Sequence, residues 1–197
     1  MNPRPFFRLP VIVLLLSVLT GCGINNIPTY DEAVKAAWSQ VLNQYKRRAD
    51  LVPNLVNTVK GYAAQEKEVL TAVTEARASV SQMQLPADIL SDKQAFEQFQ
   101  AKQAQLSSAL SRLMVVVERY PDLKSNQNFL ALQSQLEGTE NRISVARRDY
   151  IQAVQQYNTE LRTFPGRLWH STLYSDMQVK ENFSTDESVQ EPPKVQF

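Results

Sequence analysis

The side chains able to do acid–base, nucleophilic or metal chemistry are few and poorly spaced for it. His170 is the only histidine and Cys22 the only cysteine in 197 residues. A di-iron helical bundle needs Glu-x-x-His on two helices, which one histidine near the C-terminus does not supply. Zinc and haem attachment fail on the same count. A Ser-His-Asp arrangement has no histidine to use outside the tail, and no glycine-rich phosphate loop is present. Glu66 and Glu68 form a carboxylate pair of the kind any charged helix carries, solvated or ion-paired. The expectation is a non-enzyme without cofactor or metal.

The thiol of Cys22 has a different use. Met1–Arg8 carries two arginines and no acid, Leu9–Leu19 is an apolar run, and Thr20 and Gly21 are small. The run is far short of the ~20 residues a membrane-spanning helix needs, so residues 1–21 read as a secretion signal. Leu19-Thr20-Gly21-Cys22 resembles the lipobox of bacterial lipoproteins, in which the thiol is acylated and the chain is cut before it. A plain signal peptide followed by an ordinary cysteine is the alternative, but a lone thiol in a secreted protein has no internal disulfide to form. Acyl chains on Cys22 would hold the protein on membrane lipid at about 0.8 kcal/mol per buried CH₂. The expected place is the cell envelope, on the extracytoplasmic side of the inner or outer membrane of a Gram-negative cell. Gly23 in place of Asp favours the outer membrane.

Charge adds little. Without Arg4 and Arg8 the chain holds 19 basic against 20 acidic residues, a net of −1 that recommends no nucleic-acid partner. Five glycines among 197 residues, with abundant Gln, Ala, Leu and Val, favour helix.

The elements that must carry these groups follow from periodicity. Gly23–Thr29 reads as a tether over residues 22–29. From Asp31 an alternating three–four spacing runs through Val34, Trp38, Val41, Tyr45, Val52, Leu55, Val59, Tyr62, Val69, Val73, Ala76, Val80 and Met83, the seam of a helix packed in coiled-coil fashion. Thr29 or Asp31 is the expected N-cap. Pro53 kinks this helix, yet the seven-residue steps from Tyr45 to Val52 to Val59 keep phase across it. One long helix to about Met83 is therefore expected, with a break at Asp50–Pro53 as second choice.

Pro86 marks a turn, and a second seam follows through Ile89, Phe96, Phe99, Leu106, Leu110, Leu113, Val117 and Tyr120 until Pro121. A third runs through Phe129, Leu132, Leu136, Ile143, Ala146, Tyr150, Ala153, Tyr157 and Phe164 until Pro165-Gly166. No segment before that point reads as a strand. The fold expected is all-α, an antiparallel bundle of three to four long helices spanning residues 30–164, with 165–197 as a C-terminal segment, extended or disordered beyond Ser175.

Lengths sharpen the picture. At 1.5 Å per residue the first helix would reach ~80 Å, against ~48 Å and ~57 Å for the others. Its membrane-proximal stripe of Trp38, Val41, Leu42 and Tyr45 then needs a cover. A fold-back at Pro53, the tail residues Phe164, Leu168, Trp169, Leu173 and Tyr174, or another copy of the chain could supply it. The last option makes the stripe a self-association surface. Arg48 and Glu66 interrupt the seam. They read either as a partner-specific polar cluster with Gln44, Arg47, Asp50 and Asn54, or as buried pairs with Arg142, Arg148 or Asp149 that set register. The terminus Val195-Gln196-Phe197 reads as a frayed end or as a peptide for a carboxylate-binding groove.

The block Ala36-Ala37-Trp38 with Asn43–Val56 resembles the hallmark of the LemA family. Val59–Ala63, Glu75–Ala78, Asn141–Ile143, Ala146–Arg148 and the ending Pro193–Phe197 are similar to it as well. The resemblance spans about Tyr30 to Phe164. It implies a bundle, usually of four helices, held outside the cytoplasm by an N-terminal anchor. Many relatives keep an uncleaved transmembrane helix where this chain has a lipobox. The family has no established enzymatic activity. Some members are associated with membrane shaping and some are encoded near membrane peptidases, so the implied role is a scaffold, or an adaptor to an envelope protein.

Overall fold

The computed structural model describes residues 23–183, and within them there are six helices and no strand. Helix α1 (Asn26–Lys60) rises the full length of the molecule. Helix α2 (Lys67–Ser81) returns beside its upper half, and α3 (Lys93–Val117) rises again. A single turn, α4 (Pro121–Lys124), leads into α5 (Gln127–Arg162), which descends along the whole of α1. A short α6 (Gly166–Thr172) and an extended strap to Phe183 complete the chain. The topology is up-down-up-down, and the pairing of α1 with α5 is its spine.

Several local expectations are corrected. Helix α1 starts at Asn26, so the second half of the expected tether is helical. Neither Thr29 nor Asp31 caps it: the Thr29 hydroxyl donates to the Asn25 carbonyl at 2.7 Å, and Asp31 is buried. The helix runs through Pro53 without a break, as the unbroken phase requires, but it stops at Lys60 rather than Met83. Gly61–Glu66 forms a six-residue link, in which Ala63 N–H still donates to the Val59 carbonyl. After the link Val73 and Ala76 are buried as the seam requires, and Val69 and Val80 are half-buried. Tyr62 stands exposed, and Leu70, outside the expected seam, is buried as well. The seam fails at Gly61-Tyr62, where α1 ends and the chain turns.

The second seam holds, and the third holds as far as Tyr157; at its end Val154 and Leu161 are buried, while Phe164 lies beyond the helix and is exposed. Asp92 Oδ1 accepts from Ala95 N–H at 3.1 Å and Asn126 Oδ1 from Phe129 N–H at 3.1 Å, so each helix has a side-chain N-cap. Gly166 sits where α5 gives way to α6, and a Cβ there would lie 2.2 Å from the Glu160 carbonyl oxygen. Only glycine allows that approach.

Two apolar cores stack along the bundle. The upper is aliphatic, built from Val52, Leu55, Val59, Leu70, Leu106, Leu113 and their neighbours. The lower is aromatic, with Trp38 at 5.0 Å from Phe99, 5.6 Å from Phe96 and 5.4 Å from Tyr150, ring centre to ring centre. Such pairs contribute about 0.5–1.5 kcal/mol each beyond the area they bury.

Candidate functional site

Arg48 lies at the boundary between the two cores, 1% exposed. Helix phase puts it there. It is three residues beyond Tyr45 and four before Val52, so it occupies the core face of α1. Its Nη1 donates to Ser107 Oγ at 2.6 Å and to Glu140 Oε1 at 3.0 Å. Its Nη2 donates to Gln103 Oε1 at 2.7 Å and to the Gln103 carbonyl at 3.2 Å. The Nε proton is buried without a partner, and the guanidinium lies 5.0 Å from the centre of the Tyr45 ring. A buried guanidinium without this ring of acceptors would be strongly destabilising. The arrangement ties α1, α3 and α5 together in one layer.

The layer opens outward into a cleft of about 420 Å³ between α3 and α5, bordered by Glu97, Gln100, Glu140, Arg147 and Phe183. No histidine or cysteine lines it, and the Ser107 hydroxyl and Glu140 carboxylate both accept from Arg48. Among the described residues there is no group of three or more His, Cys, Asp or Glu side chains that could hold a metal. The chemistry on offer is charge neutralisation and hydrogen bonding.

The other expected cluster members do not join Arg48. Arg47, Asp50 and Asn54 are exposed, and Gln44 is half-buried with its Oε1 unpaired in a groove against α5. Glu66 sits near the upper end, where its Oε1 accepts from the Tyr120 hydroxyl at 2.7 Å and from Arg119 at 3.0 Å. That hydrogen bond raises the pKa of the Tyr120 hydroxyl. Arg142, Arg148 and Asp149 are not the partners of either residue. The single cluster is thus replaced by two separate sites, since Glu66 lies eighteen positions beyond Arg48, about 27 Å along even an unbroken helix.

The Trp38–Tyr45 stripe is corrected too. Trp38, Val41 and Tyr45 are buried and Leu42 is half-buried, so the stripe is not a free surface. Neither a fold-back at Pro53 nor the expected tail residues form the main cover. Phe164, Leu168 and Leu173 are exposed, while Trp169 and Tyr174 pack at the edge. The cover is α5, the first turns of α3 and the strap, whose Phe183 ring centre lies 6.3 Å from that of Trp38.

Sequence reasoning missed how the strap is held. Tyr150 donates to the Glu181 carbonyl at 2.8 Å and Tyr157 to the Gln178 carbonyl at 3.1 Å. Asn158 pairs with the Lys180 backbone in both directions at 2.9 Å, and Glu181 N–H donates to the Leu90 carbonyl. Lys180 Nζ lies 3.1 Å from Asp31 Oδ1, with Lys35 at 2.8 Å from Oδ2. Burial raises the Asp31 pKa, but the two ammonium groups outweigh it and hold the carboxyl below its usual value. Burial, with Asp31 and Asp176 nearby, pushes the Tyr157 hydroxyl up to about 12. Arg147 lies over the Phe183 ring at 4.4 Å. An isolated Phe in an otherwise polar tail was the available signal for the strap.

Cys22 and Leu19, Thr20 and Gly21 lie outside the described residues, as does Phe197. Gly23, the first described residue, has a φ of +93°, a conformation that favours glycine. No helix among the described residues is long and apolar enough to cross a membrane.

These features define an antiparallel four-helix bundle with a charged layer at its waist and a C-terminal strap. The LemA family model matches residues 37–197, and the chain belongs to the LemA family. It is 27% identical to the magnetosome protein MamQ 2 of Paramagnetospirillum magneticum (strain AMB-1), over 83% of this chain and 70% of that protein. The magnetosome protein MamQ of Magnetospirillum gryphiswaldense is 25% identical over the same shares. The protein LemA of Metamycoplasma hominis is 24% identical over 71% of this chain and 60% of that one.

Proposed function

We propose that the chain is a non-enzymatic, lipid-anchored protein of the cell envelope, acting as a scaffold. Acylated Cys22 holds it to the membrane and the bundle stands outside the cytoplasm. The observation that carries this reading is where the chain emerges. Gly23, one residue after the lipobox, lies at the lower pole beside Pro165, so the bundle projects its length of about 50 Å away from the anchor. Membership of the LemA family and the likeness to magnetosome proteins support the membrane setting of this reading. Cys22→Ser tests the anchor: acyl labelling and membrane retention should both be lost, and an unchanged membrane fraction overturns it.

The adaptor role has a specific observation in its favour. With the Trp38 stripe covered from within the chain, a scaffold needs another surface on which to gather partners. The solution mass of residues 23–197 over a wide concentration range separates the two. A defined oligomer supports self-association, and a monomer at every concentration supports an adaptor that engages another envelope protein.

A further inference from the structure

We propose that Phe164, Leu168 and Leu173 form a foot that inserts into the bilayer interface beside the anchored N-terminus. Phe164 is 86% exposed, Leu168 48% and Leu173 56%. Lone exposed apolar side chains are ordinary on a soluble surface, but three large ones within ten residues around the short helix that follows α5 are a concentration of apolar surface. Helix α6 is two-faced: Trp169 turns inward to the aromatic core while Leu168 turns outward.

Position names the occupant. A Cβ on Gly23 would lie 3.5 Å from Pro165 Cγ, the residue next to Phe164. Asn26 Nδ2 donates to Glu160 Oε1 at 3.1 Å, which pins the start of α1 to the end of α5. Each residue spans at most about 3.6 Å, so an acyl chain on Cys22 enters the membrane within roughly 10 Å of Pro165, the neighbour of Phe164. Exposed Arg162 and Arg167 flank the apolar side chains and suit anionic headgroups, while Asp176 lies beyond Leu173. The geometry is that of an interfacial amphipathic turn, lying on the bilayer rather than crossing it.

The inference rests on the Cys22 anchor, and its test separates the two. The full acylated chain is reconstituted in vesicles of phosphatidylethanolamine and phosphatidylglycerol, with an environment-sensitive fluorophore on Phe164→Cys or Leu173→Cys. Leu130→Cys, about 50 Å away at the upper end of α5, is the reference. A nitroxide-bearing lipid should quench either foot label several-fold more than the label at 130. Protein that floats with the vesicles while all three labels stay unquenched overturns the foot and leaves the anchor standing. Protein that fails to float overturns the anchor and the foot together. An emission shift that grows with protein density without lipid quenching assigns the patch to a second copy and also overturns the foot.

Discussion

Arg48 and Glu140, 92 positions apart in the chain, meet at 3.0 Å at the waist of the bundle, between an aromatic core below and an aliphatic one above. The pair is asymmetric. The Arg48 side chain is 2% exposed and that of Glu140 is 43%, so the guanidinium bears nearly all the desolvation.

That asymmetry sets unequal mutational costs. Arg48→Ala should lose about 3–5 kcal/mol, since it leaves Gln103 unpaired and a cavity at the junction. Arg48→Met, which fills the space, should lose less. Glu140→Gln should cost only about 1 kcal/mol, because Gln103 and Ser107 still satisfy the guanidinium. Urea unfolding read by circular dichroism gives the three values, and a larger loss for Glu140→Gln than for Arg48→Ala would contradict the assignment.

Phe183→Ala should free the strap before it unfolds the bundle. The ring packs among Trp38, Phe96 and Tyr150, and truncating such a residue typically costs about 3 kcal/mol. Release of the terminal strap relieves that cost locally. The expected readouts are faster proteolysis within residues 174–183 and a red shift of tryptophan emission, with helical content unchanged.

Acid should loosen the same strap. The Asp31 pKa is lowered in the folded state, so its contribution is fully present above the unfolded value of 3.8 and is lost as pH falls through the folded value. Amide exchange of residues 178–182 should therefore quicken below about pH 4. Asp31→Asn should remove that acid dependence and weaken the strap already at neutral pH. At the alkaline end the sign reverses: Tyr157, with its pKa near 12, keeps its contribution up to pH 10 and loses it as pH rises toward 12.

Two glycines should respond in opposite directions. Gly166→Ala forces a Cβ onto the Glu160 carbonyl and should cost more than about 2 kcal/mol. Gly138→Ala, inside α5 with nothing within 4 Å of the added carbon, should gain about 0.5–1 kcal/mol. Thermal melts of the two variants should shift to opposite sides of the parent.

Much of the fold is written along the chain. The spacing of Val34, Trp38, Val41, Tyr45, Val52, Leu55 and Val59 determines which face of α1 is buried, because helix phase is a local property. It also shows that Pro53 leaves that face continuous. Pro86, Pro121 and Pro165-Gly166 mark the ends of elements for equally local reasons. What covers each face is not local. Glu140 answers Arg48, Phe183 reaches Trp38 and Lys180 reaches Asp31 only after the chain has turned at Gly61 and descended α5. Periodicity says that Trp38 needs a partner; which of many apolar side chains arrives is decided by turn positions and helix lengths summed over the whole bundle.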